Sequence, residues 1–133
     1  MKRSGFSMIE LVFVIVIMGI LAAVAVPKMM GTSDKAKVAQ CETFYSTLNN
    51  TASPALWMNM IQDNAPASSA YSEDNISAAI DIPANDACGK LSDISDLATD
   101  GTDYTFKIGE TTYDVNGSKA TTSEATKWTM SKE

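Results

Sequence analysis

The chain has 133 residues, 45% of them hydrophobic and 20% charged, with ten basic against 16 acidic side chains and a formal charge of -6. That length holds one ordinary domain, and the acidic balance argues against nucleic-acid binding, which takes a lysine- and arginine-rich face. There is no histidine and Arg3 is the sole arginine, so imidazole acid–base chemistry, histidine metal ligation and bidentate phosphate recognition have almost nothing to work with. No catalytic constellation can be assembled from these residue types, and an enzyme is not expected.

The first strong signal is the run from Phe6 to Val26, 21 residues that hold a single charge, Glu10. As a helix it spans roughly 31 Å at about 1.5 Å per residue, enough to cross a hydrocarbon core. Lys2 and Arg3 precede it, which places the N-terminus in the cytoplasm and everything after Lys28 on the far side. Three fates fit the segment. It is a secretory signal cut at the small-x-small site Ala23-Val24-Ala25, a plain anchor with Glu10 near the interface, or a retained helix in which Glu10 has a task. A carboxylate in an apolar span costs on the order of 3 kcal/mol and has no purpose in a segment about to be discarded.

Lys2-Arg3-Ser4-Gly5, then Phe6-Ser7-Met8-Ile9-Glu10-Leu11, then an apolar run ending in Ala25-Val26-Pro27, resembles the class III leader and N-terminal helix of type IV pilins and type II secretion pseudopilins. The resemblance covers about the first 50 residues. It implies a leader at 1–5, a membrane and assembly helix at 6–27 and an extracytoplasmic head at 28–133. It further implies cleavage by prepilin peptidase between Gly5 and Phe6, methylation of the new Phe6 amine, and an inner-membrane assembly platform as partner. The expected product is a homo-oligomeric helical filament, a pilus or a pseudopilus. Before assembly the subunit would be a single-pass inner-membrane protein; afterwards it would lie in a periplasmic or cell-surface filament. The family fold is α+β, a long N-terminal helix packed on a small C-terminal antiparallel sheet.

Within that scheme Glu10 has a physical task. Cleavage leaves a positive amine at Phe6, and packing many apolar helices together sets that amine beside a neighbour's Glu10. A buried pair adds little net stability, but a missing partner leaves an unpaired charge, so the pair sets register. Gly19 and Pro27 both weaken the same helix, glycine through backbone entropy and proline by removing a donor. The family resemblance implies that the stretch between them can extend in a filament, whereas a continuous helix is expected for an isolated subunit.

Beyond Pro27, Val38, Cys41, Tyr45 and Leu48 recur at three- and four-residue spacing and predict helix to about Thr51 with one apolar stripe facing the head. Ser53-Pro54 is expected to end it, because a residue before proline is pushed out of the helical region. A second helix is predicted over 55–62, with Leu56, Trp57, Met60 and Ile61 packed inward. Residues 63–103 read as a long loop carrying one short helix near 75–80. Strands follow at 104–108 and 111–115 around a Gly109-Glu110 turn, then an Asn116-Gly117 hairpin turn and two further short extended stretches ending near Met130, for a three- or four-stranded antiparallel sheet. The inner face is assigned to Phe106, Ile108, Tyr113, Val115 and Trp128.

Cys41 and Cys88 fall outside the cytoplasm on this reading, where disulfides persist. A bridge between them is the economical arrangement; a buried free Cys41 with a labile Cys88 is the alternative. Asp93, Asp96, Asp100 and Asp103 concentrate hard oxygen ligands ahead of the sheet and are weak calcium candidates, although acidic runs are ordinarily just solvated and no cofactor is otherwise expected. Sequons stand at Asn49, Asn75 and Asn116, the last two with an acid two residues earlier, and Asn75 is the better candidate for glycosylation. Residues 28–60 carry three lysines and two acids, and residues 61–133 five lysines and 13 acids. Such a head suits a solvated filament exterior. The alternative to a filament subunit is a monomeric, membrane-anchored or exported binding protein.

Overall fold

A computed structural model of the chain describes residues 5–133; the leader residues Lys2 and Arg3 lie outside the described residues. The chain divides into two compact units, Met1–Lys35 and Ala36–Glu133. Helix α1 runs over Met8–Thr47 and contains Pro27. In the first unit it is helical through Gly19, and every large hydrophobic from Met8 to Val26 is exposed, by 42% at Ile17 and 83% at Met8. A helix that is apolar on all sides has no single core-facing stripe, so this stretch suits a solvent other than water. By length and composition the helix is long and apolar enough to cross a membrane.

The second unit is an α+β head. Its core begins on α1 with Cys41, Phe44 and Tyr45, all buried. At Leu48–Ala52 the chain takes one π-helical turn, closed by the Ser53 N–H on the Leu48 carbonyl, and helix α2 continues over Ser53–Gln62. Ser53 is helical (φ -56°, ψ -48°), so the predicted break at Ser53-Pro54 does not occur. The wider turn restarts the helix, and Pro54 falls in the first turn of α2, where a missing N–H costs nothing. The buried stripe then runs on at intervals of four through Leu48, Ala52, Leu56 and Met60. Trp57 is half-buried, its indole N–H donating to the Thr121 carbonyl at 2.8 Å. Ile61 is 41% exposed and leaves the predicted inward set.

Three short helices occupy the predicted long loop: α3 (Ala67–Ala70), α4 (Glu73–Ala79) and α5 (Leu91–Asp100), with a single 3₁₀ turn at Ala84–Asp86. Helix α5 was expected as acidic loop. Leu91, Ile94, Leu97 and Ala98 give it an apolar face, three of them fully buried, and Gly101 ends it in the left-handed conformation at φ 82°, a glycine stop.

The sheet is three-stranded and antiparallel in the order β1 (Tyr104–Ile108), β2 (Thr111–Ser118), β3 (Lys127–Lys132). The β1–β2 turn is where the sequence placed it. Asn116-Gly117 is not a turn: both residues lie within β2, opposite Thr129 and Trp128. Glycine is required at 117 because a Cβ there would lie 1.8 Å from the Lys127 carbonyl oxygen. Ile108, Val115 and Trp128 are buried and Phe106 and Tyr113 half-buried, so the predicted inner face is the observed one. It packs on the helical stripe through Tyr45, whose ring lies 6.5 Å from that of Phe106.

Candidate functional site

The residues that could act lie in two places, one in each unit. At the start of α1 the sequence Ser7-Met8-Ile9-Glu10 has capping-box spacing, and its glutamate half is made. The Glu10 carboxylate accepts the Ser7 N–H at 2.9 Å, and the Ser7 carbonyl accepts the N–H groups of Glu10 and Leu11 at 3.0 and 3.2 Å. A carboxylate there satisfies a donor that no helical carbonyl reaches and lies at the positive end of the helix dipole. Gly5 and Phe6 precede the helix, and Phe6 is 86% exposed. Gly5 and Phe6 are thus exposed ahead of the helix, and Glu10, the only acid of the apolar run, is held on the N–H of the residue after Phe6. Sequence reading identified Glu10 but not this local partner; the S-x-x-E spacing is the signal that carries it.

In the head, Cys41 and Cys88 form a disulfide with sulfurs 2.04 Å apart, and both are buried. Around it, the Tyr45 hydroxyl donates to the Cys88 carbonyl and lies 2.7 Å from the Tyr104 hydroxyl. Burial pushes both phenols above their ordinary range, with Asp93 adding a repulsive negative charge. Gly89, at φ 99°, lets the chain turn under Tyr104, since a Cβ would lie 2.6 Å from that ring. The disulfide and the Tyr45 hydroxyl, bonded to the Cys88 carbonyl, fix the segment after the 3₁₀ turn against α1.

The four aspartates expected as weak calcium ligands do not gather into a metal cluster. Asp93, Asp96 and Asp100 lie on α5 and Asp103 beyond its cap. Asp100 accepts the Thr102 N–H at 2.8 Å, and hydrogen bonding from Thr102 lowers its carboxyl below the usual range. Among the described residues no three acidic, cysteine or histidine side chains gather as a metal site. Of the sequons, Asn49 is committed to the fold: its amide donates to the Trp128 carbonyl at 2.7 Å and accepts the Trp128 N–H at 2.8 Å. The Asn75 amide donates to the Ser69 carbonyl at 2.9 Å, and Asn116 is exposed on β2.

Comparison with known proteins converges on the first of these places. The family profile described as the prokaryotic N-terminal methylation motif matches residues 1–26. The chain is 54% identical over 37 residues to the type II secretion system core protein G of Pseudomonas aeruginosa, covering 28% of this chain and 26% of that protein. It is 59% identical over 35 residues to the core protein G of Klebsiella michiganensis, covering 26% and 25% of the two. It is also 48% identical over 42 residues to the type IV narrow pilus major component PilA5 of Thermus thermophilus, covering 32% and 36%. The chain thus spans between a quarter and about a third of the length of these curated relatives. No solved structure gives a significant match. The methylation motif and these likenesses to type II secretion core protein G and a type IV pilin all fall in the N-terminal part of the chain.

Proposed function

We propose that the chain is a structural subunit of a type IV pilus or type II pseudopilus, cleaved after Gly5, methylated on the Phe6 amine and polymerised through α1. Its main support is the pairing of the N-terminal methylation motif with a helix whose apolar residues are exposed on every side. Such a surface needs lipid before assembly and other copies of itself afterwards. Prepilin peptidase and an inner-membrane platform are its partners in this role, and no bound cofactor is required. The span between Gly19 and Pro27, helical here, is the part expected to lengthen in the filament.

Glu10 is central to this reading. In the free subunit its carboxylate is engaged by its own Ser7 N–H; in the filament it turns to the Phe6 amine of a neighbour. A subunit displaced by one register leaves that amine and that acid unpaired in an apolar core, which is strongly unfavourable. Glu10→Val is expected to be cleaved and to retain a folded head but to form no filaments, or filaments of irregular rise. N-terminal sequencing and electron microscopy of sheared surface fractions read both results. Regular filaments with the wild-type rise would refute the register role, and a mature chain beginning elsewhere than Phe6 would refute the processing scheme.

A further inference from the structure

The head contains an open groove of about 820 Å³ between α1 and the segment 79–84. Its α1 side carries the small side chains Ala36, Ala39, Thr43 and Thr47, with Gln40 and Phe44 beside them. The threonine hydroxyls are turned onto their own helix: Thr43 donates to the Ala39 carbonyl and Thr47 to the Thr43 carbonyl, each at 2.9 Å. With those donors spent, the α1 side offers a partner mostly hydrocarbon. The opposite wall, residues 79–84, carries one acid among apolar side chains. Asp81 lines the groove, and residues 73–86 hold Glu73, Asp74, Asp81 and Asp86 with no basic residue.

We infer that this groove receives the α1 segment 24–37 of a second copy of the chain. The inference rests on the filament reading above and names the contact that reading leaves open. That segment has the chemistry the groove lacks. Val24, Val26 and Met29 are exposed and apolar, and three lysines against Asp34 make residues 24–37 basic. Contact between equivalent heads would instead set acid against acid, because residues 61–133 carry 13 acids and five lysines. The small side chains on the α1 side let a second helix approach to about 8–10 Å. In this contact the groove covers Val24, Val26 and Met29 of the second copy, and its Lys35 and Lys37 are the partners available to Asp81.

The test uses the full-length chain in filament-forming cells, with a benzophenone amino acid at Thr43 and, separately, at Ala84 on the opposite rim. Sheared filaments are irradiated and the adducts mapped by mass spectrometry. The expected result is a crosslink from either probe to residues 24–37 of another copy. Filaments whose adducts fall elsewhere on this chain, on another protein, on lipid only, or nowhere would overturn the groove contact and leave the filament reading standing. Failure of the unmodified chain to form filaments would remove both. Asp81→Lys is expected to lower the crosslink yield about two- to fivefold, the range for an exposed ion pair. Combining it with Lys35→Glu and Lys37→Glu reverses both sides in every copy and should restore the yield; no restoration would overturn the ionic part of the contact.

Discussion

Residues Met8–Met29 and residues 36–60 are both helical, yet they solve opposite problems. The first stretch exposes its large hydrophobic residues from Met8 to Val26; the second buries a stripe from Cys41 to Met60 and presents threonine, asparagine and glutamine elsewhere. Helix formation is therefore not what distinguishes them. The difference lies in the environment each sequence anticipates: a hydrocarbon surround for the first, and a sheet on one side with water on the other for the second. Stability of the head should accordingly rest on a few contacts in residues 36–133, and assembly on the first stretch.

Perturbations of the full chain in detergent can separate the two. The largest expected effect is that of Trp128→Ala, which removes a ring that is 2% exposed and an indole N–H bonded to the Ile94 carbonyl at 3.1 Å. About 3–5 kcal/mol of head stability should be lost in chemical denaturation. Reducing the Cys41–Cys88 bridge, which closes a separation of 47 residues, should cost up to about 4 kcal/mol in the chain-entropy model, read as a lower midpoint with and without reductant. Asn49→Ala leaves the Trp128 backbone N–H and carbonyl without their partners and should cost about 1–3 kcal/mol.

Alkaline titration should give a smaller change. Tyr45 and Tyr104 have folded-state values raised above the ordinary 10.0, so at pH above about 10 the unfolded chain releases protons that the folded head retains. Stability should be constant in this respect below pH 10 and fall above it; a flat profile to pH 11 would mean that the phenols are not held neutral. Glu10→Val, by contrast, should leave the head's melting temperature unchanged. A shift there would show that the two stretches are energetically coupled.

Much of this architecture can be read from the residues alone, because burial follows spacing. The stripe of Val38, Cys41, Tyr45 and Leu48 and the alternation in the sheet are periodic, and the extracytoplasmic placement of two cysteines led to their pairing. Three features escaped for identifiable reasons. In α5 the aspartates and serines masked Leu91, Ile94, Leu97 and Ala98, whose spacing, with Gly101 after it, is a helix signature. Asn116-Gly117 has turn composition, but its glycine answers to the Lys127 carbonyl across the sheet, a contact that local sequence does not encode. Ser53-Pro54 looked like a stop because a π-helical turn, which depends on tertiary packing, was not anticipated. At the N-terminus Glu10 was legible as an isolated acid, whereas its capping partner required the helix start to be known.

The Asn49 side chain has one more consequence. β3 is an outer strand of the sheet, and an outer strand with free amides and carbonyls is a template for joining sheets from different molecules. By bonding both backbone groups of Trp128, the amide acts as one residue of a missing fourth strand. Ser53 adds to this by donating to the Thr126 carbonyl. The helices thereby blunt the first part of that edge. Heads crowded at high local concentration are in this way protected from pairing sheet to sheet through the Thr126–Trp128 stretch.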